Sequence, residues 1–261
     1  MCRLFAQRAR PPLDPREPLC TAPNALRAQS LRHPHGWGVG WYESGEPRVR
    51  RGLAAAHADA GFIEAVHLAR SEIVLAHVRD ASVGPIAEQN THPFVHGPWL
   101  FAHNGTVARF RCVPRVRAAL EAEIDRGLRR LVRGDTDSER CFFLFLTLLT
   151  ARTATRRRPD LEDVRAALAR TVAIVERLAD SPSEKPSTLN LAVSNGDVLA
   201  LCRHGRTLHV AIGRALGGAF AVASEPIGPG PWSEVPEHGF VGIDAERGVV
   251  SGPLRAGLRA A

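Results

Sequence analysis

The sequence lacks a long hydrophobic run and an apolar N-terminus. Its most apolar segment, residues 141–149, is far shorter than the roughly 20 residues that cross a bilayer. Arg3, Arg8 and Arg10 interrupt the N-terminal stretch, which therefore has no apolar core of a signal peptide. We expect a cytoplasmic protein that has no membrane partner.

Paired cysteines are also missing. The chain has 5 cysteines, an odd number, and no two of them have C-x-x-C spacing. We therefore expect neither a disulfide framework nor a four-cysteine zinc site. Histidine is the other common metal ligand, but His33 and His35 have neither a helical i, i+4 partner nor an adjacent carboxylate. We expect no metal and no cofactor.

Aromatic residues are scarce, at 6%, although the chain is basic, with 34 Lys and Arg against 27 Asp and Glu. Nucleic-acid surfaces interleave clustered basic residues with aromatic ones. The only dense basic run here is residues 156–158, followed by a proline. We therefore expect no nucleic-acid partner. The 44% of hydrophobic residues in 261 is sufficient for one large domain or two small ones.

The periodicity of apolar residues predicts strands, then helices, then strands. Strands are predicted at 2–8, 35–42, 48–53, 72–79 and 99–102, and again at 189–194, 198–202, 208–212, 219–223 and 239–243. Helices are predicted at 25–31, 59–69, 113–132, 136–152 and 160–179. This order predicts two layers of strands whose outer faces are covered by helices.

Two local signals refine these boundaries. Asn104-Gly105 is a strong turn signal, so a turn is predicted directly after the strand 99–102. Thr136 and Glu139 have the spacing of a capping box, which predicts that the helix to about Arg152 begins there. In residues 35–42 glycine alternates with larger residues, as in a strand that another backbone approaches closely.

Cys2 follows the initiator methionine. Removal of Met1 would leave Cys2 with both a thiol and a free α-amine. The thiolate is a nucleophile with an ordinary pKa near ~8.5, and an α-amine with a pKa of about 8 is a base near neutral pH. Taken alone, however, Cys2 is more simply the second residue of an edge strand.

Polar motifs at the ends of predicted elements change that interpretation, because sites are often built at such ends. In chain order the motifs are Cys2, Trp37-Gly38, His77-Val78-Arg79, Asn90 to Pro93, His103-Asn104-Gly105 and Asp135 to Glu139. Together they resemble the class II, N-terminal nucleophile (Ntn) glutamine amidotransferases, and best their small stand-alone subgroup. The resemblance implies an α+β fold, a four-layer αββα sandwich of the Ntn hydrolase type. It also implies one domain over residues 1–261, with a mature chain that starts at Cys2.

The resemblance implies three catalytic residues. Cys2 Sγ would attack the γ-amide carbon, and its own α-amine would accept and return the proton. The Asn104 side-chain amide and the Gly105 backbone N–H would hold the oxyanion, since fixed neutral donors need no reorganisation as charge develops.

It implies four substrate-binding residues as well. The planar fork of Arg79 suits the α-carboxylate of the substrate, and Asp137, in the first turn of a helix, suits the α-ammonium. His92 would lie near the pocket, and Ser82 keeps a hydroxyl where relatives often have Thr. Asp80, next to Arg79, is an acid that could compete for its guanidinium. His103 is interpreted as structural.

The implied activity is cleavage of the γ-amide of glutamine or a γ-glutamyl compound, a small-molecule substrate, through a Cys2 thioester. Glutamate and ammonia or an amine would be released. Little chain follows about residue 250, so ammonia would serve a separate synthase subunit, or water would be the only acceptor. An alternative of another class is a non-catalytic basic binding protein with the same fold. The sequence favours an enzyme, does not choose between the two acceptors, and leaves a homodimer open.

Overall fold

The computed structural model describes residues 2–153, 158–213, 218–228, 230–244 and 248–255. Met1 and residues 156–157 of the basic run lie outside this part. The helices are α1 (Leu26–Gln29), α2 (Ala60–Leu68), α3 (Pro114–Ala122), α4 (Arg126–Arg129), α5 (Asp137–Arg152) and α6 (Leu161–Ala179). None of these helices is long and apolar enough to cross a membrane.

Thirteen strands accompany the helices in the described part. They are β1 (Arg3–Arg8), β2 (Trp37–Glu43), β3 (Glu46–Gly52), β4 (Ile73–Val78), β5 (Phe94–His96), β6 (Trp99–Thr106), β7 (Thr188–Ser194), β8 (Leu199–Cys202), β9 (His209–Ile212), β10 (Phe220–Ala223), β11 (Ser233–Glu234), β12 (Gly239–Asp244) and β13 (Gly248–Pro253).

The strands form two antiparallel sheets. The first has the order β11-β9-β10-β1-β4-β2-β3, and the second has the order β13-β12-β8-β7-β6-β5. β1 lies at the centre of the first sheet, where Phe5 is opposite Ala76 of β4 and Ala223 of β10. The end of β6 is paired with β7, and Asn104 is opposite Asn190. β1 and β6 therefore bring the two halves of the predicted site into the middle of the molecule.

Strand periodicity explains why the sheets stack. Leu4 and Ala6 of β1 face the core between the sheets, whereas Phe5 faces the core shared with α1 and α2. On β6, Leu100 lies between the sheets and Phe101 packs into the core that α3, α5 and α6 cover. Successive side chains of a strand point to opposite faces, so each sheet buries both faces of its central strands. The predicted four-layer αββα sandwich is confirmed.

The predicted helix 113–132 is two helices. α3 ends at Ala122, and α4 begins after Asp125, whose carboxylate accepts hydrogen bonds from the N–H groups of Gly127 and Leu128. This N-cap starts a new helix inside a sequence that has helical composition throughout.

The predicted turn at Asn104-Gly105 is wrong, because β6 continues through both residues to Thr106. Pairing with β7 outweighs the local turn preference there. A Cβ atom on Gly105 would lie 1.8 Å from the carbonyl oxygen of Thr188. Glycine is thus needed at this position for the close approach of β7, and not for a turn.

Candidate active site

Cys2 lies directly before β1, beside the end of β4. Arg3 is opposite Val78 in the sheet, so Cys2 reaches the residues that follow β4. Its Sγ accepts a hydrogen bond from the Asp80 backbone N–H at 3.3 Å. Burial raises the pKa of the Cys2 thiol, and the Asp80 N–H opposes this rise. A protonated thiol held in this way needs a nearby base before it can act as a nucleophile.

Arg79 is buried and holds the loop that follows β4. Its guanidinium donates to the carbonyl oxygens of Val83 at 3.0 Å, Gly84 at 3.2 Å and Pro85 at 3.0 Å. Competition from Asp80 for this guanidinium is not found, because the partners of Arg79 in the described part of the chain are these carbonyl oxygens. The residue therefore has a structural task in addition to the one predicted for it.

Asn104 is held by a residue that sequence reasoning missed. Its Nδ2 donates to Ser224 Oγ at 2.9 Å, and the same Oγ accepts from the Leu4 backbone N–H at 3.0 Å. Nδ2 has a second hydrogen, which has no hydrogen-bond partner among the residues described. Ser224 follows β10, and its signal in the sequence is a small hydroxyl side chain directly after a predicted strand.

His103, next to Asn104 on β6, connects three elements. Its Nε2 lies 2.9 Å from the Thr188 carbonyl oxygen, which can only accept, so Nε2 carries the proton. Nδ1 is then an acceptor, and Ser138 Oγ donates to it at 2.9 Å. These contacts fix β6 against β7 and the first turn of α5, in agreement with a structural interpretation of His103.

The first turn of α5 has half of the predicted capping box. Thr136 Oγ1 accepts from the Glu139 N–H at 3.3 Å, as an N-cap does. The Glu139 carboxylate accepts instead from the N–H groups of Arg133 and Gly134, at 3.0 and 2.7 Å. The helix therefore begins where the sequence predicts, while its acidic residue holds the preceding loop.

Asp137 joins this helix to the end of β6. Its Oδ2 accepts from the Val107 N–H at 2.7 Å, and Oδ1 accepts from the Ser138 N–H at 2.9 Å. Each carboxylate oxygen can accept a second hydrogen bond. The buried carboxylate thus keeps acceptor capacity for a ligand cation.

His92 lies against a second buried histidine, His77, for which the sequence predicted no role. The two ring centroids are 4.3 Å apart, and no ring nitrogen of either has a hydrogen-bond partner within the described ranges. Burial lowers the pKa of His77 to about 3 and lowers that of His92 well below its ordinary value. Both rings are therefore neutral at physiological pH.

These histidines predict acid sensitivity. An unfolded histidine has a pKa of about 6.5, so between about pH 6.5 and about 3 the unfolded chain binds a proton that folded His77 does not. The free energy of unfolding should be undiminished above this window and fall by about 1.4 kcal/mol per pH unit within it, for this one group. His77→Phe should flatten the slope measured by chemical denaturation from pH 7 to 4. The exposed His67→Gln is the control, and an equal slope in all three proteins would contradict the assignment.

Two adjoining cavities contain all the predicted site residues, and Cys2 lines both. The smaller, about 20 Å³, is lined by Cys2, Arg79, Asp80, Ser82, Val83, Asn90, His92, His103, Gly105, Thr136, Asp137 and Ser138. The larger, about 90 Å³, is lined by Cys2, Asp80, Ala81, Ser82, Asn104, Gly105, Thr106 and Arg206. Clefts of about 620 and 660 Å³ elsewhere on the surface contain none of the predicted residues. The convergence on Cys2, and not cavity size, identifies the candidate site.

Ser82 lies at the shared rim of these cavities. Its exposed hydroxyl is 3.3 Å from Thr106 Oγ1, which in turn donates to the Gly105 carbonyl oxygen at 2.8 Å. Ser82 lines both cavities, so its hydroxyl can contact a ligand in either one.

A possible cation ligand set lies away from Cys2. Within the described ranges, His204, Glu237 and His238 bring three ligand atoms within 4.8 Å of one another. The two Nδ1 atoms are 3.1 Å apart, and Glu237 Oε1 accepts from the Gly205 N–H at 2.6 Å. These atoms already contact one another and the backbone, and none of the three residues lines either cavity.

Comparison with known proteins agrees with this geometry. Residues 1–218 match the family profile described as glutamine amidotransferases class-II. Over 236 residues the chain is 30% identical to the gamma-glutamyl-hercynylcysteine sulfoxide hydrolase of Mycolicibacterium smegmatis, covering 88% of each protein. Over 249 residues it is 26% identical to a probable glutamine amidotransferase of Saccharomyces cerevisiae, covering 80% of this chain and 69% of that protein. Its fold is similar to that of a glutamine aminotransferase class-II domain protein from Silicibacter pomeroyi, with a TM-score of 0.67, 23% identity and coverage of 97% and 99%.

Proposed function

The chain belongs to the class II glutamine amidotransferases, and from this premise we propose that it cleaves the γ-amide of glutamine or a γ-glutamyl compound through a Cys2 thioester. One observation supports this most strongly. Cys2, Asn104 and Gly105 line one cavity, while Cys2, Arg79 and Asp137 line the adjoining one. A nucleophile thus lies between donors for an oxyanion and groups suited to a zwitterion.

The nucleophile depends on removal of Met1. We propose a single domain over residues 1–261 whose mature chain starts at Cys2. The freed α-amine takes the thiol proton, and Cys2 Sγ attacks the amide carbon. Burial raises the pKa of the thiol, so its deprotonation requires a base. The α-amine of the same residue is that base in this proposal.

The oxyanion forms as the carbonyl π-bond opens. The second Nδ2 hydrogen of Asn104 and the Gly105 N–H donate to it. β5 is paired with β6 only from Trp99 to Phe101, so both donors lie where β6 has a neighbouring strand on one side. Ser224 and β7 fix these donors before the substrate arrives.

The tetrahedral intermediate collapses by breaking its C–N bond. The α-ammonium of Cys2 gives its proton to the departing nitrogen, which leaves as ammonia or an amine, and a γ-glutamyl thioester remains. Water then attacks the thioester carbon and loses a proton to the α-amine. The C–S bond breaks, the thiolate regains the proton, and glutamate is released.

Arg79 and Asp137 hold the glutamyl zwitterion in this proposal. Arg79 binds the α-carboxylate and Asp137 binds the α-ammonium, with His92 and Ser82 against the carbon chain. The cavity between them, about 20 Å³, has room for roughly one water molecule. Substrate must therefore displace the loop 83–85 or the side chains around it.

Water as the acceptor is favoured by one comparison. The relative that is 30% identical over 88% of both chains is named a hydrolase. Supply of ammonia to a separate synthase subunit is the other arrangement. A purely non-catalytic binding protein is set aside by membership of an enzyme family.

The proposal is tested by a product assay on the purified protein alone. Glutamine and a set of γ-glutamyl amides are incubated with it, and released glutamate and amine are measured, after intact mass has shown whether Met1 is removed. We expect loss of Met1 and glutamate release without a partner. Release only when a synthase is added would favour ammonia transfer, and full activity with Met1 in place would contradict the α-amine mechanism.

A further inference from the structure

Arg206 is a second arginine beside Cys2, and neither the motifs nor the proposed reaction uses it. It lies between β8 and β9 and lines the cavity of about 90 Å³ together with Cys2, Asn104 and Gly105. The carbonyl oxygens of Arg206 and Thr207 accept from Asn190 Nδ2 at 3.1 and 3.0 Å. The backbone that carries this side chain is therefore held in place.

The charge of Arg206 is not matched by the protein. In the part of the chain that the structure describes, no ion pair or hydrogen bond involves its guanidinium, and its Nε is buried without a partner. Arg79, the other arginine lining the cavities, donates to three loop carbonyls, and Arg3 pairs with Glu225. Burial lowers the pKa of Arg206, but an arginine keeps its proton under such conditions. A half-buried, unpaired cation is costly unless a ligand supplies the anion.

The position of Arg206 relative to the reacting bond indicates which part of a ligand it meets. Arg79 and Asp137, the proposed zwitterion groups, line the smaller cavity, and the two cavities adjoin at Cys2. If the glutamyl side occupies the smaller cavity, the nitrogen of the scissile bond faces the larger one. The departing amine then extends toward Arg206. Ammonia from glutamine is too small to make use of this cavity.

We propose that Arg206 binds a carboxylate on the leaving amine, so that the preferred substrates are γ-glutamyl derivatives of amino acids or peptides. This inference rests on the proposed function. A guanidinium fork matches a carboxylate in two parallel hydrogen bonds, and glutamine offers it nothing. Arg206 would thus determine specificity, whereas Cys2, Asn104 and Gly105 would carry out the same bond cleavage on every substrate.

The test compares γ-glutamylglycine with γ-glutamylglycinamide, which differ only in the carboxylate. Their amines differ in intrinsic reactivity. The informative quantity is therefore the kcat/KM for γ-glutamylglycine divided by that for γ-glutamylglycinamide, compared as a second ratio of the wild type to Arg206→Gln. This double ratio cancels intrinsic reactivity. We expect it to be about 10 or more, as for a lost charge-assisted hydrogen bond. Arg206→Lys, which keeps the charge without the fork, should give a smaller value.

Arg115→Gln is the matched control, because Arg115 is exposed on α3 and lines neither cavity. It loses the same charge and should give a double ratio of about 1. A value near 1 for Arg206→Gln, with both substrates cleaved, would overturn the inference and leave the proposed function standing. An equal loss on both substrates would also overturn it, since Arg206 would then act on Cys2. Absence of glutamate release from every compound by the wild type would instead contradict the proposed function.

Discussion

Cys2→Ala is expected to abolish release of glutamate without lowering the melting temperature. Removal of a covalent nucleophile typically costs roughly 10⁴-fold or more in kcat, because only binding and oxyanion stabilisation remain. The structural cost should be small. The Cys2 side chain makes its contacts with the Asp80 backbone through one sulfur atom, and it precedes β1 instead of packing into a core. The measurement is initial rate with a γ-glutamyl substrate, alongside thermal denaturation.

Cys112→Ala is the matched control for Cys2→Ala. Cys112 is more exposed than Cys2, and it lines neither of the two cavities. If the accessibility of a thiol alone determined activity, Cys112→Ala would lower the reaction rate more than Cys2→Ala. An electrophilic glutamine analogue should likewise label Cys2 and spare Cys112. Turnover by Cys2→Ala within tenfold of the wild type would remove the nucleophile from the proposal.

Local sequence patterns correctly predicted those elements whose structure depends on residues that are close together in the sequence. The apolar stripe of α6 and the cap at Thr136 lie where the sequence placed them. The turn at Asn104-Gly105 is wrong because pairing with β7, more than 80 residues later, outweighs the preference of two residues. β5, β11 and β13 were not predicted, since β5 has 3 residues, β11 has 2, and β13 alternates half-buried with exposed positions.

The candidate site likewise contains residues that the sequence predicted and residues that it did not. Cys2, Arg79, Asn104 and Asp137 were predicted as polar residues at the ends of elements, and the structure brings them to two adjoining cavities. Arg206 could not be found by that rule, and Ser224, directly after β10, could not be distinguished by it from other polar residues at strand ends. Their positions depend on the order β9-β10-β1 in the first sheet and on a loop held by a residue of the second. Residues that are brought together by the pairing of strands distant in the sequence have no local sequence pattern that reveals their contact.

The structure also assigns Arg79 a task that competes with the predicted one. Its donors already hold the carbonyls of Val83, Gly84 and Pro85. Binding of an α-carboxylate would replace or share these hydrogen bonds, which would couple substrate binding to the loop 83–85. A small cavity beside a loop that is held by the proposed binding residue is what such coupling requires.

Asn104→Ala is expected to lower kcat by about 10²–10³-fold, the usual cost of one oxyanion donor, with little change in KM. In the proposed mechanism the amide contacts the transition state more strongly than the bound substrate, so the loss should appear in the chemical step. The fold should tolerate the change. Asn104 Oδ1 is buried without a partner, and Ser224 Oγ keeps the Leu4 N–H when Nδ2 is removed.

Ser224→Ala tests the contribution of the hydroxyl that holds the Asn104 amide, separately from the contribution of the amide itself. It leaves the Asn104 amide in the cavity but removes the hydroxyl that orients it, so Ser224 acts as a positioning residue. We expect a smaller loss, about tenfold, again in kcat and not in KM. Asn104→Ala combined with Ser224→Ala should be no worse than Asn104→Ala alone, since the hydroxyl acts through the amide. Additive losses, or an Asn104→Ala enzyme within threefold of the wild type at equal melting temperature, would exclude the amide from the oxyanion hole.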